Sequence, residues 1–188
     1  MSRTWFTADL HLGHPNIIGH CDRPYRGVAQ MNADLVLRWN RVAADDDTVW
    51  VLGDVGAAAA LPLVRFLRGT KHLISGNHDH CWPGNGPLAG ATRWMYLAAG
   101  FATIRTTAEI ELGGERVALS HLPYEGDSHG EDRFVPWRPR DEGGWIVHGR
   151  VHTAWRHRGR MINVGVDVWD YAPVAEEVLV ELIRGGTG

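Results

Sequence analysis

Apolar runs that stop abruptly at Asp, Asn or His set the rhythm of this chain. Residues 3–8 end at Asp9-Leu10-His11. Thr48–Leu52 ends at Gly53-Asp54. Lys71–Ile74 ends at Ser75-Gly76-Asn77-His78-Asp79. Arg116–Ser120 delivers His121, and Trp145–Val147 delivers His148, Gly149, Arg150, Val151 and His152. Runs this short and this rich in Val, Ile, Trp and Thr predict strands. Between them the period changes. Leu35, Val36, Trp39, Val42 and Ala43 share one face of a helix predicted over Ala33–Ala44, with Asn32 as its cap. Further helices are predicted over Asn16–Gly19 behind Pro15, Ala57–Arg68, Ala91–Ala99 and Val174–Ile183. Phe101–Leu112 reads as one strand, turned by Gly113-Gly114 into Arg116–Ser120, and Arg160–Val164 as a late strand. Strands and helices alternate early and strands crowd later, which predicts an α/β or α+β sandwich.

The chain has 188 residues, enough for one domain over 1–188, with no repeat, linker or low-complexity tract. Its 44% hydrophobic and 22% charged content is that of a globular protein. Net charge is −3, which provides no overall electrostatic footprint for nucleic acid. Cys21 and Cys81 are too few for a disulfide framework or a thiolate zinc site and suit a reducing compartment. The start, from Met1, leads straight into a strand and leaves no room for a signal peptide. No apolar run reaches a membrane span, so the expected location is cytoplasmic. Eleven His residues stand out, because imidazole is the commonest metal ligand.

Residues at strand ends on a rigid sheet are where sites are built. Asp9 and His11 lie two apart, and in extended backbone such residues point the same way. Asp54 can bridge two ions, Asn77 offers a neutral oxygen, and His121 and His152 add imidazoles. Carboxylate, amide and imidazole together suit Mn2+, Fe2+ or Zn2+ better than an all-oxygen cage for Ca2+ or Mg2+. Each of these residues taken alone is unremarkable in a turn or on a surface; the set, on separate strand ends, points to a metal centre. Asp45-Asp46-Asp47 reads instead as a solvated turn.

The ordered set Asp9-x-His11, Gly53-Asp54, Gly76-Asn77-His78-Asp79, Ser120-His121 and Gly149-x-x-His152 resembles the calcineurin-like metallophosphoesterases, over residues 9–152. The resemblance implies a four-layer α-β-β-α sandwich with two divalent metal ions, Mn2+ foremost, at the strand ends. It implies Asp9, His11 and His152 on the first ion, Asp54 bridging, and Asn77 and His121 on the second. His78 is expected over the leaving group with Asp79 orienting its imidazole, and His14 against the phosphate. The implied activity is hydrolysis of phosphate esters by a metal-activated hydroxide, diesters before monoesters, on a small or nucleotide-like substrate. Two ions about 3.5–4 Å apart suit that chemistry.

One position departs from the pattern. The last motif of that family is Gly-His-x-His, and here its first His is Arg150. A guanidinium has no lone pair to give a metal. Arg150 is therefore expected to bind phosphate and to replace part of the second ion's charge, leaving the second site weak. His148 is a second candidate for the missing ligand. The alternative reading is a catalytically impaired relative that binds a phosphorylated ligand or partner. Asn163 and Asp167 are expected behind the ligands, and Arg133, Trp137, Arg138 and Arg140 at a substrate mouth. The loops over 80–90 and 124–144 carry no recognisable code for the rest of the substrate.

Overall fold

The computed structural model describes residues 2–128 and 130–186. The apolar runs form β1 (Thr4–Thr7), β2 (Thr48–Val51), β3 (Thr70–Ile74), β4 (Phe101–Arg105), β5 (Thr107–Leu112), β6 (Glu115–Ser120), β7 (Trp145–His148), β8 (His157–Arg158), β9 (Met161–Asn163) and β10 (Val174–Ala175). They make two mixed five-stranded sheets, ordered β10-β1-β2-β3-β4 and β5-β6-β7-β9-β8. In the first sheet β1 to β4 run parallel and β10 pairs antiparallel with β1. Parallel neighbours need crossovers, and the intervening segments supply them: α1 (Asn16–His20) and α2 (Val28–Val42), a 3-10 helix over Ala58–Phe66, and α3 (Arg93–Ala99).

Alternation along each strand divides the core. Trp5, Val49, Val51 and Leu73 turn toward Leu35 and Trp39 of α2, Leu61 and Val64 of the 3-10 helix, and Tyr96 of α3. Phe6, Leu52 and Ile74 turn the other way, onto Leu112, Val117, Leu119, Trp145, Val147 and Ile162 of the second sheet. The two sheets thus pack face to face. Leu179 and Ile183 of α4 (Glu176–Gly186) join this inner layer. On the other face of the second sheet, Ala118 shares a cavity with Tyr124, Pro139 and Arg140 of the irregular segment over 123–144. No helix among the described residues is long and apolar enough to cross a membrane.

Several sequence expectations are corrected here. The run Phe101–Leu112 is two strands, bent at Thr106, with β4 in one sheet and β5 in the other. Each half buries its apolar residues in a different core, Ile104 against the helices and Leu112 between the sheets. The helix expected over Ala57–Arg68 is a 3-10 helix, the tighter form, with Pro62 inside it. α2 begins at Val28, ahead of the expected cap. Asn32 lies inside the helix, where its Oδ1 accepts from Gly13 N at 3.0 Å. Asp47 is buried rather than solvated, accepting from Arg3 N, Ala44 N and Trp5 Nε1. The two-residue strands β8 and β10 were not anticipated. The closing helix runs from Glu176 to Gly186, past the expected end at Ile183; residues 187 and 188, like Met1, lie outside the described residues.

Candidate metal centre

The loops after β1, β2, β3, β6 and β7 meet at one end of the sheets, and their backbones are strained. Asp9, His11, Asp54, Arg150 and His152 all hold left-handed φ, between +49° and +76°. Such a conformation costs roughly 1–2 kcal/mol per residue and persists only where surroundings impose it. The extended geometry expected for Asp9 and His11 is therefore wrong. The two residues converge because each kinks, with Leu10 buried between them, and Arg150-Val151-His152 repeats the arrangement. Hydrogen bonds hold the kinks: Asp9 N to Gly53 O at 3.0 Å, His11 N to Asp54 O at 2.9 Å, and Arg150 N to Asp9 Oδ2 at 2.9 Å. Glycine lets the loops close this far. A Cβ on Gly76 would stand 2.3 Å from Asp54 Oδ1, and one on Gly53 would stand 2.6 Å from the Gly76 backbone.

Six of the predicted ligands come together. Asp54 Oδ2 lies 3.5 Å from His11 Nε2 and 3.4 Å from His121 Nε2. His121 Nε2 lies 3.0 Å from Asn77 Oδ1. The rings of His11 and His152 are 5.3 Å apart. Ligand atoms of Asp9, His11 and His152 all lie within 4.8 Å of one another, and so do those of Asp9, Asp54 and His121. Asp9 Oδ1, His11 Nε2 and Asp54 Oδ2 are buried with no hydrogen-bond partner. Buried polar atoms are normally partnered, so three orphans aimed at one another fit a bound cation. His121 Nδ1 faces Leu52 O at 2.8 Å, and a carbonyl only accepts, so Nδ1 carries the hydrogen and Nε2 turns to the centre. His152 Nδ1 is 2.9 Å from Asp167 Oδ2, the carboxylate backing that orients a ligating imidazole.

The electrostatics follow from burial and pairing. Burial raises Asp54, but the imidazoles of His121, His11 and His78 outweigh it and hold the carboxyl at about 2. Burial pushes His11 down to about 3, leaving the neutral ring a metal requires. Burial opposes charge on His152 too, yet Asp9 and Asp167 raise it to about 11. Burial likewise raises Asp9 above its ordinary value. His78 is lowered, by burial first, against the pull of Asp54.

His14 and His78 flank His11, with ring centroids 5.8 and 5.5 Å from it. With Arg150, His152, Arg133 and Ser128 they line a cavity of about 390 Å3. One other expectation fails. Asp79 does not orient His78: its carboxylate accepts from the backbone N–H groups of Asp54, Val55 and Gly76, tying two motif loops together. His148 lies outside the groups of converging ligand atoms, although its Nε2 is buried and unpartnered. It is buried, with Nδ1 on Gly149 O and its ring against Trp155. Of the residues expected at a mouth, Arg133 lines the cavity. Arg138 folds into its own segment, donating to Pro123 O and Gly126 O, and Arg140 lies on the outer face of the second sheet. Trp137 packs on Trp82, with centroids 5.1 Å apart. Asn163 stands behind the centre as expected, binding Gly165 N, His152 O and Trp155 O.

Two residues that matter carried no sequence signal. Arg23 is buried, grips Asp167 at 2.7 and 3.1 Å, and donates to Asp9 O at 2.7 Å and Leu10 O at 3.0 Å. Asp127, from the irregular segment, binds Arg150 through Nε and Nη2 at 3.0–3.2 Å. Their partners lie 144 and 23 positions away, beyond any local pattern.

No protein-family model matches this chain. It is 38% identical to the gene 66 protein of Mycobacterium phage L5, over 95% of this chain and 93% of that protein. It is 36% identical to the gene 66 protein of Mycobacterium phage D29, over 94% of each. It is 30% identical to the uncharacterized protein MJ1445 of Methanocaldococcus jannaschii, over 99% of this chain and 94% of that protein. Among solved structures, the protein of unknown function AQ665 from Aquifex aeolicus shares the fold, with a TM-score of 0.70 at 23% identity over 97% of this chain and all of that one. At this identity and coverage, the chain belongs to the family of the mycobacteriophage gene 66 proteins.

Proposed function

We propose that this chain is a metal-dependent phosphoesterase of the calcineurin-like kind. The observation that carries the reading is the convergence of buried, unpartnered Asp9 Oδ1, His11 Nε2 and Asp54 Oδ2 beside His152, two of which, His11 and His152, line a cavity with His14, His78, Arg133 and Arg150. The donor set of two carboxylates and two imidazoles suits Mn2+, with Fe2+ or Zn2+ as alternatives. Asp54, Asn77 and His121 adjoin it, where the resemblance would put a second ion. A divalent ion held there polarises a phosphoryl oxygen and lowers the pKa of water. The chain's own residues do the rest. Asp167 fixes the tautomer of His152, and Arg23 holds the carbonyls of Asp9 and Leu10. Arg150 and Arg133 would draw the ester's oxygens into the cavity that His14 and His78 also line. His78 would give its proton to the leaving alkoxide, the substrate's own anion adding to the pull of Asp54 against the burial that lowers its pKa. The same reading takes the face-to-face sheets as a variant of the four-layer α-β-β-α sandwich, with the segment over 123–144 in place of the outer helical layer.

The test is hydrolysis of bis-p-nitrophenyl phosphate and p-nitrophenyl phosphate by chelated protein refilled with Mn2+, for wild type and Asp54→Asn. Turnover that needs Mn2+ and disappears in Asp54→Asn is expected. Metal-independent turnover, or none with either ester, would overturn the proposal. A second reading, phosphate binding without turnover, is favoured by Arg150 Nη1 lying 3.1 Å from the ligand oxygen of Asn77. Saturable binding of inorganic phosphate by a loaded but inactive protein would establish it.

A further inference from the structure

We infer that the centre works with one divalent ion and one guanidinium, Arg150 standing permanently where a second ion would sit and Asp127 setting its position. This rests on the phosphoesterase reading above.

The unpartnered carboxylate and imidazole donors beside His152 gather at the place of one ion. Asp9 Oδ2 is taken by Arg150 N and Asp54 Oδ1 by His78 N. That leaves a single free oxygen on each carboxylate, Asp9 Oδ1 and Asp54 Oδ2, beside the free His11 Nε2. With His152 these make a four-donor set. A second ion would have to share those carboxylate oxygens and otherwise draw on Asn77 and His121, and the amide oxygen of Asn77 already accepts from Arg150 Nη1 at 3.1 Å. An ion on that oxygen would face a permanent positive charge across it.

Arg150 is built in rather than visiting. It is buried, and its backbone is kinked at φ +76° with its N–H on Asp9. Its guanidinium is fixed on three sides. Asp127 binds Nε and Nη2, the ring of Phe134 lies 5.2 Å from the guanidinium carbon, and Asn77 takes Nη1. Phe134 in turn packs on Trp82, with ring centroids 5.2 Å apart, which joins the segment carrying Asp127 to the stretch that follows Asp79. Asp127 also binds Arg133 at 3.0 Å and Arg138 at 3.4 Å, so one carboxylate serves three guanidiniums and the surplus charge stays positive. Arg133 and Arg150 both line the cavity, where that surplus meets phosphate.

The experiment is metal analysis and electron paramagnetic resonance of protein chelated, reloaded with excess Mn2+ and desalted, with and without inorganic phosphate. Wild type should hold a single ion with the hyperfine pattern of isolated Mn2+. Arg150→His, which removes the fixed charge and adds a donor, should hold two, with an exchange-coupled spectrum. Arg150→Gln serves the same purpose should the His variant not fold. Asp127→Asn should keep its single ion and bind inorganic phosphate roughly tenfold more weakly, the order expected when an orienting partner is lost. Two coupled ions in wild type would overturn the inference while leaving the phosphoesterase reading intact. So would a single ion in a folded Arg150→His or Arg150→Gln. A wild type that binds no ion would overturn both.

Discussion

Replacing Arg23 with Met tests whether the candidate centre is held from behind. The guanidinium and its partner Asp167 both have fully buried side chains. Arg23 Nε reaches Asp167 Oδ1 at 2.7 Å and Nη2 reaches Oδ2 at 3.1 Å, while Nη1 and Nη2 also serve Leu10 O and Asp9 O. Met keeps most of the volume and removes every donor. Breaking one side of a buried ion pair costs about 3–5 kcal/mol, because the remaining charge is stranded. Asp167 keeps His152, which offsets part of this; the two carbonyls lose donors, which adds about 1 kcal/mol each. The net is a loss of about 4 kcal/mol. At roughly 2–4 °C per kcal/mol for a chain of this size, Tm should fall by about 8–16 °C. Thermal melts and urea titrations of metal-free protein measure this, with the urea slope unchanged. The double variant Arg23→Met/Asp167→Asn should regain about 1–3 kcal/mol, since no carboxylate is then stranded. A single-variant loss below about 1 kcal/mol, or no recovery in the double, would refute the claim that this pair braces the kink at Asp9.

Metal loading should release protons near neutral pH. His152, raised to about 11 by Asp9 and Asp167 against burial, must deprotonate before it can bind a metal. Affinity should therefore rise with pH, by up to about tenfold per unit, and calorimetry in buffers of different ionisation enthalpy would show the protons; a flat profile between pH 6 and 9 would count against it. In metal-free protein the same shift stabilises the fold fully below the ordinary His value of about 6.5 and is lost as pH rises toward about 11, which melts across that range would follow. Gly76→Ala should cost about 1–3 kcal/mol and most of the metal affinity, since its Cβ would stand 2.3 Å from Asp54 Oδ1; a variant that loads Mn2+ like wild type would contradict the close packing of these loops. His78→Ala should slow esters with poor alkyl leaving groups about 10²–10⁴-fold and activated aryl esters much less, and equal losses would remove His78 as the acid.

What could be read from the sequence was the set of strand ends, because an apolar run that stops at Asp or His leaves a mark within a few residues. Asp9, His11, Asp54, Asn77, His121 and His152 all come together as that mark suggested. The chain's turns in space were less legible. The bend at Thr106, which sends β4 and β5 into different sheets, is hidden because Phe101, Ile104 and Leu112 look alike whichever core receives them. Asn32 has the chemistry of a cap but spends it on Gly13, a choice made by tertiary packing.

Least legible of all were the polar residues that position others. Asp79 looks like a partner for the adjacent His78, yet its two oxygens take three backbone N–H groups, from Asp54, Val55 and Gly76. The reason is energetic. Left-handed kinks at Asp9, His11, Asp54, Arg150 and His152 are each unfavourable, and the chain holds them with buried charge-assisted bonds rather than with local turn chemistry. Those bonds come from wherever the fold brings a charge: Arg23 across 144 positions to Asp167, Arg150 across 23 to Asp127. A kinked loop advertises its ligands in sequence, but the groups that keep it kinked are chosen in space. Any variant that spares the six ligands while removing Arg23, Asp79 or Asp127 should therefore disturb the centre more than its own residue type suggests.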